Sequence, residues 1–354
     1  MKIASAASAF PKHYYTQKVL LERLQDFWGD RLKNPLLLAR LHRNVTVDGR
    51  YLAIPAEEYV DIKTWGQAND IWIKVAQELG EQALCRALQN AGVNPEDLGC
   101  LLFTTVTGVA SPSIDGMLIN RMGLPANIRR TPIFGLGCVA GAAGIARASD
   151  YVRAYPKQAA ALVSVELCSL TLQREDLSVA NLISSGLFAD GSAAVIVTGD
   201  ELESSRPENS GPSILATRSV FYPDTEEMMG WNISERGFRI ILSTEVPTLI
   251  RKNLGRDVDA FLADNGHQRS DLKSFVLHTG GPKVLDASAD ALGLHNGELD
   301  ASWDCLRKVG NLSSASVLCV LEDVMKNRRP EPGTLGLLAA MGPGFCSELV
   351  LLQW

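Results

Sequence analysis

The chain has no CxxC pair, no HExxH and no Cys/His grouping at zinc spacing, so neither a metal centre nor a disulfide framework is indicated. Its seven cysteines are an odd number, and the nearest pair, Cys305 and Cys319, stands fourteen positions apart. Free thiols predict a reducing compartment, and the expected location is the cytoplasm. No apolar run approaches a membrane span: the richest stretch, Gln158–Leu172, is broken by Glu166. Residues 1–11 are too short and too weakly apolar for a secretory leader. There is no low-complexity segment and no block of like charge. With 34 Lys and Arg against 40 Asp and Glu, the net charge is −6, which argues against a nucleic-acid binder that needs a basic stripe. What remains is a chain of 354 residues, 46% hydrophobic, long enough to bury a large core as two units or one fused pair.

The pattern along the chain is α/β. Val19, Leu20, Leu24 and Phe27 mark a first helix, and the periodicity predicts a longer one over 70–90, closed by Gly92. LGCLLFTTV (98–106) is apolar without alternation, as a strand buried on both faces would be. A strand at 131–134, a glycine turn into a helix at 135–144, a strand at 160–167 and a turn then a strand over 186–198 follow. ELESSRPENSGP (201–212) has linker composition. Beyond it come a helix near 257–265, a strand at 272–277, a glycine turn opening a small-residue helix at 309–325, and a closing hairpin. Both halves set a small-residue helix behind a strand, a weak internal duplication that no residue repeat supports. The layers expected are helices sandwiched between sheets.

Cys138 stands in FGLGCVAGAAG, between a strand end and a helix start. The free N–H groups and positive end of a helix stabilise a thiolate, and Gly135, Gly137 and Gly141 permit a sharp turn; the alternative is a buried structural cysteine. His278 ends an apolar strand ahead of Gly-Gly-Pro, where α/β folds place ligand contacts, though a core histidine fits as well. Asn311 opens a helix and alone reads as an N-cap. Together the three form a Cys–His–amide set, in which His278 pairs with the thiolate while His278 and Asn311 donate to an oxyanion.

FGLGCVAGAAGIARA, VSVELCSLT, SGLFADGSAAVIV, LHTGGPK, VGNLSSASVL and AAMGPGFCSELVLLQW occur in order, and with them the chain resembles the type III polyketide synthases, the chalcone synthase-like branch of the thiolase superfamily. The resemblance runs from about residue 40 to the C-terminus. It implies a duplicated thiolase fold, an αβαβα five-layer sandwich with halves 1–205 and 206–354. It also implies a homodimer, acyl-CoA and malonyl-CoA as substrates, and no metal or other cofactor. The family's nucleophile falls on Cys138, its histidine on His278 and its asparagine on Asn311. Its junction phenylalanine falls on Phe188 and its cavity loop on Gly342, Pro343 and Gly344.

Ile240 stands where plant members carry a second gatekeeper phenylalanine, and Thr107, Cys168 and Thr171 fall at the plant cavity wall. This set resembles the bacterial alkylpyrone and alkylresorcinol synthases. A medium- to long-chain fatty acyl-CoA starter is therefore expected, with an aromatic-starter or naphthalene-type synthase as the alternative. Cys168 fits core packing equally well. Of the basic CoA contacts only Arg40 is retained, with Arg43 and Lys283 as substitutes, and Glu166 reads as a buried structural carboxylate. A ketoacyl-ACP synthase III shares Cys, His and Asn, but Thr-Gly-Gly-Pro after His278 departs from that family. A thiolase would use Cys346 as a second cysteine, against which the Asn311 motif stands. A non-catalytic scaffold leaves the three filled positions without a purpose.

Overall fold

The computed structural model describes residues 1–206, 211–295 and 297–354; residues 207–210, inside the expected linker, lie outside the described residues. The first half runs β1 (Lys2–Ala9), β2 (His13–Thr16), α1 (Gln17–Trp28), α2 (Pro35–Asn44), β3 (Gly49–Leu52), α3 (Trp65–Ala91), β4 (Leu98–Thr105), α4 (Ile114–Met122) and β5 (Arg129–Phe134). It continues through α5 (Ala140–Ala154), β6 (Ala159–Leu167), α6 (Val179–Leu187) and β7 (Asp190–Thr198). The second half holds β8 (Ser213–Phe221), β9 (Met229–Ser234), β10 (Gly237–Leu242), α7 (Val246–Asp264), β11 (Leu272–Leu277) and α8 (Pro282–Leu292). It closes with α9 (Asp300–Val309), α10 (Ser316–Asn327), β12 (Leu335–Gly342) and β13 (Cys346–Gln353).

Nine strands form one hydrogen-bonded order, β11-β12-β13-β8-β1-β7-β6-β4-β5. The two halves meet at β1 and β8, joined by the single register pair Lys2 and Ser213. On either side of that seam the same sense recurs. β1 runs antiparallel to β7, β7 to β6, and β6 parallel to β4. In the other half β8 runs antiparallel to β13, β13 to β12, and β12 parallel to β11. The duplication therefore shows in topology where the residues show none.

Alternation along the strands explains the unbroken apolar runs. Leu101 and Val163 face one core, with Trp72 and Leu84 of α3, while their neighbours Leu102 and Leu162 face another, with Ile145 of α5 and Leu318 of α10. On β12, Leu338 joins that shared inner core and Leu337 packs outward with Leu254 and Phe261 of α7 and Leu292 of α8. The order of layers is thus α3, sheet, α5 with α10, sheet, α7 with α8: the five-layer αβαβα sandwich of the thiolase fold.

Local chemistry moves some boundaries. α3 starts at Trp65, not 70, because Thr64 and Gln67 form a capping box, and it ends at Gly92 in the left-handed conformation. β1 (KIASAASA) is a central strand that composition hides. Its small residues let α3 and α10 pack closely on it. α7 begins eleven residues before the expected 257, with Pro247 in its first turn.

Candidate active site

β5 ends at Phe134, and Gly135 (φ 92°) and Gly137 (φ 55°) take the left-handed turn that brings the chain to Cys138. A Cβ on Gly137 would lie 2.7 Å from Pro343, and one on Gly342 would lie 2.6 Å from the Leu136 carbonyl. Gly342 and Pro343 therefore buttress the Cys138 turn, and it is their neighbours Met341 and Phe345 that line the adjoining cavity. Gly344 supplies the left-handed turn between β12 and β13 (φ 68°).

His278 follows β11, its N–H donating to the Ala339 carbonyl at 3.0 Å. Its ring is buried and neither ring nitrogen has a protein partner. Asn311 follows Gly310 (φ 78°) at the end of α9. Its Oδ1 accepts from the Ser313 N–H at 2.8 Å and the Ser316 hydroxyl at 3.4 Å, which leaves the Nδ2 end for the cavity. This Asx-type turn, three residues ahead of α10, replaces the simple N-cap that the sequence allowed.

Three separate turns thus bring Cys138, His278 and Asn311 to one cavity of about 310 Å³, together with Phe188 and, at its exposed rim, Lys283. Leu41 and Asn44 of α2 also line it; Arg40, on the same helix, points to solvent. Phe188 lines a second, smaller cavity as well, of about 90 Å³, with Cys168, Thr171, Ile240 and Trp231. Of the positions expected at the wall, Thr107 stands apart. Its hydroxyl accepts from Trp72 Nε1 (3.3 Å) and the Leu167 N–H (2.9 Å) and donates to Glu166 (2.9 Å).

Glu166 is fully buried and gathers donors: Thr105, the Val106 N–H, Thr107 and Ser314. Burial outweighs these and pushes its carboxyl up to about 7. Ser313, next to Ser314, accepts from Cys138 Sγ at 3.7 Å and is one of the few non-glycine residues at positive φ (48°). Sequence reading passed over Ser313. Its only trace was the Ser-Ser pair after Asn311.

The electrostatics differ from the expected ion pair. Burial pushes the Cys138 thiol up to about 12, with the Glu166 carboxylate adding to the rise, against a lowering by Ser313. Burial holds the His278 imidazolium down at about 4. No hydrogen bond joins the two among the described residues, and burial of each favours its neutral form. The helix terminus favours the thiolate by about 1 kcal/mol, less than the desolvation of a buried anion costs. Among the described residues no group of three or more His, Cys, Asp or Glu is placed to hold a metal, and no helix is long and apolar enough to cross a membrane.

Comparison with protein-family models matches residues 7–201 to the N-terminal domain and residues 213–354 to the C-terminal domain of chalcone and stilbene synthases. The chain is 48% identical to a 1,3,6,8-tetrahydroxynaphthalene synthase of Streptomyces peucetius, over 99% of this chain and 93% of that one. It is 31% identical to a phloroglucinol synthase of Pseudomonas fluorescens, over 98% and 97%. Among solved structures, the bacterial type III polyketide synthase 1,3,6,8-tetrahydroxynaphthalene synthase of Streptomyces coelicolor superposes with a TM-score of 0.93. The two are 30% identical over 100% of this chain and 99% of that one.

Proposed function

Because the chain belongs to the chalcone and stilbene synthase family and is a type III polyketide synthase condensing malonyl-CoA, we propose that it builds a naphthalene-type polyhydroxy aromatic from malonyl-CoA alone. The observation that carries the catalytic reading is the convergence of Cys138, His278 and Asn311 on one cavity, with Phe188 between it and a second. Support for the product comes from the relatives' names and from cavity size. The ten ring carbons of a tetrahydroxynaphthalene are five two-carbon units, and no alkyl tail remains. The inner cavity, about 90 Å³ and walled by Phe27, Tyr59, Phe188 and Trp231, suits a short chain that folds into rings better than a long extended one.

The steps balance with CoA thioesters as the only reactants. Cys138 Sγ attacks the starter thioester as His278 takes its proton, and that proton leaves on the CoA thiol. Neutral resting forms make this transfer concerted with attack rather than prior to it. On the extender, the bond between carboxylate and α-carbon breaks, CO₂ departs, and the electron pair becomes an enolate. Nε2–H of His278 and Nδ2 of Asn311 donate to its oxygen, and the apolar face of Phe188 disfavours the carboxylate over neutral CO₂. The enolate carbon attacks the Cys138 thioester, and the sulfur leaves as a thiolate that takes up a proton from solvent to return to the thiol. Lys283, with Arg40 further along α2, meets the CoA phosphates at the rim. We place the junction of the halves at 205/206 and the enzyme in the cytoplasm as a homodimer; edge strand β5, with Phe134 49% exposed, offers the interface.

A fatty acyl starter giving an alkylpyrone or alkylresorcinol is the second reading. It is favoured by Leu20, Leu24 and Phe27 of α1, which lend the inner cavity an apolar wall beside Cys168 and Ile240. Products from malonyl-CoA alone and with C6 to C18 acyl-CoAs, identified by mass spectrometry, decide between them. The expected result is an aromatic product from malonyl-CoA alone; no product without a fatty acyl-CoA would overturn the proposal. Cys138→Ala is expected to abolish both acyl-enzyme and product, and full condensation by that variant would overturn the catalytic reading.

A further inference from the structure

The segment carrying Phe188 is fixed by a residue far from the catalytic turns. α6 ends at Leu187, and a helix end leaves its last carbonyls without intrahelical partners. Each is met here by something outside the helix. Gln17 Nε2 donates to the Gly186 carbonyl (2.8 Å) and the Asn311 N–H to that of Leu187 (2.9 Å). Arg50, on β3, takes the two others: Nη1 donates to the Phe188 carbonyl at 2.5 Å and Nη2 to that of Ser185 at 2.6 Å.

Arg50 is only 4% exposed and makes no ion pair with a carboxylate among the described residues. The nearby Asp190 has its oxygens occupied by the Ala53 N–H, the Ser169 N–H and the Ser169 hydroxyl. The guanidinium is thus a buried cation spent on a helix C-terminus, where its charge meets the negative end of the dipole. The same strap continues into the site. The Ala189 N–H donates to the Asn311 carbonyl at 2.9 Å, so residues 187–189 and Asn311 form a short parallel bridge. Gly310 makes room for it: a Cβ there would stand 2.9 Å from the Leu187 carbonyl and 3.2 Å from Arg50 Cδ.

We propose that Arg50 is a positioning residue for decarboxylation: by capping α6 it sets where the Phe188 ring and the Asn311 amide stand in the site. The inference rests on the roles given to Phe188 and Asn311 above. Cys138 lies on a different element, the turn into α5, and Arg50 does not touch it. Loss of the clamp should therefore injure one half-reaction and spare the other.

The test uses the full chain carrying Arg50→Lys and Arg50→Gln. Malonyl-CoA decarboxylation is followed by acetyl-CoA release, and Cys138 reactivity by iodoacetamide alkylation. In Arg50→Gln, kcat for decarboxylation should fall about tenfold or more, with KM for malonyl-CoA and the alkylation rate within about threefold. Arg50→Lys, which keeps the charge without the fork, should fall between Gln and the native enzyme. Unchanged decarboxylation in folded variants would overturn the proposal. So would alkylation falling in parallel, or failure of both variants to fold, since Arg50 would then serve the fold alone. Asn311→Ala separates the two levels. If it leaves decarboxylation intact, the site reading fails; if it abolishes decarboxylation while the Arg50 variants do not, only this inference fails.

Discussion

Gly141 sits where the two central helices touch, and replacing it with alanine tests the closeness of that contact. A Cβ there would lie 2.3 Å from the Ser314 carbonyl oxygen and 2.7 Å from Val317. The first obstacle is backbone, so no rotamer change relieves it, and α5 and α10 must separate by about 1 Å. Overpacking of this kind costs about 1–3 kcal/mol, offset by about 0.8–1 kcal/mol of helix propensity gained from glycine to alanine. A net loss of up to about 2 kcal/mol should lower Tm by up to about 3 °C in a chain of 354 residues. Activity should suffer more. Ser314 is followed back along the chain by Ser313, which touches Cys138 Sγ, and a displacement of about 1 Å at a reacting centre costs on the order of a hundredfold. Gly144→Ala is the control on the same helix. Its Cβ would meet the side-chain ends of Leu162 at 2.5 and 2.6 Å, which can shift, so a smaller loss of both Tm and turnover is expected. Thermal melts by circular dichroism with malonyl-CoA turnover read both variants. Native Tm and native turnover in Gly141→Ala would refute the reasoning.

Glu166, with its carboxyl raised to about 7 by burial, binds a proton more tightly folded than unfolded. Its contribution to stability is therefore fully present below about 4.5 and is lost as pH rises to about 7, by up to about 3 kcal/mol. Urea titrations at pH 5 and 8 should show that decline flattened in Glu166→Gln; an identical pH dependence in the two would refute it. The Cys138 thiol, pushed up to about 12, should be alkylated by iodoacetamide at a rate still climbing at pH 10. A plateau near pH 7 would reveal a stabilised thiolate. His278, held at about 4, should give malonyl-CoA decarboxylation no acidic limb above pH 5. Ile240→Phe should fill part of the inner cavity and shorten the products seen by mass spectrometry. An unchanged product profile would place Ile240 outside the path of the chain.

What the sequence reveals and what it hides follow from the period and range of each signal. Strands buried on both faces, such as β4 and β6, stand out because apolar residues fill most positions of both faces without alternation. β1 is equally buried yet nearly silent: its alanines and serines are chosen for closeness to α3 and α10, and they carry little strand preference. The three candidate catalytic positions were legible because each follows a glycine-bearing turn or strand end, local features that leave local marks. Their electrostatics were not. Whether Cys138 rests as thiol or thiolate depends on how much water the closed fold removes, a sum over residues as distant as Glu166 and Ser313. Thr107 shows a related limit. A wall position in sequence says nothing of which way the hydroxyl turns, and here it turns to Glu166. Arg50 gave no signal and Ser313 little, because the groups that their side chains meet lie 135 or more positions away.

The repeated strand order has a consequence for the candidate site. Because α5 and α10 occupy equivalent places in the two halves, they arrive at the seam with the same end foremost. The turn Gly137–Val139 leads into one and Ser313–Ala315 into the other. Each brings a partial positive charge of about half a unit, so like poles are pressed together wherever no anion lies between them. The duplication thus builds a mutual repulsion into the middle of the molecule, which the Glu166 carboxyl bonded to Ser314 relieves in part and a negative charge formed by the reaction relieves further. Bound enolate or thiolate should tighten the whole sandwich, and each turnover should end with the fold slightly less stable than it was midway.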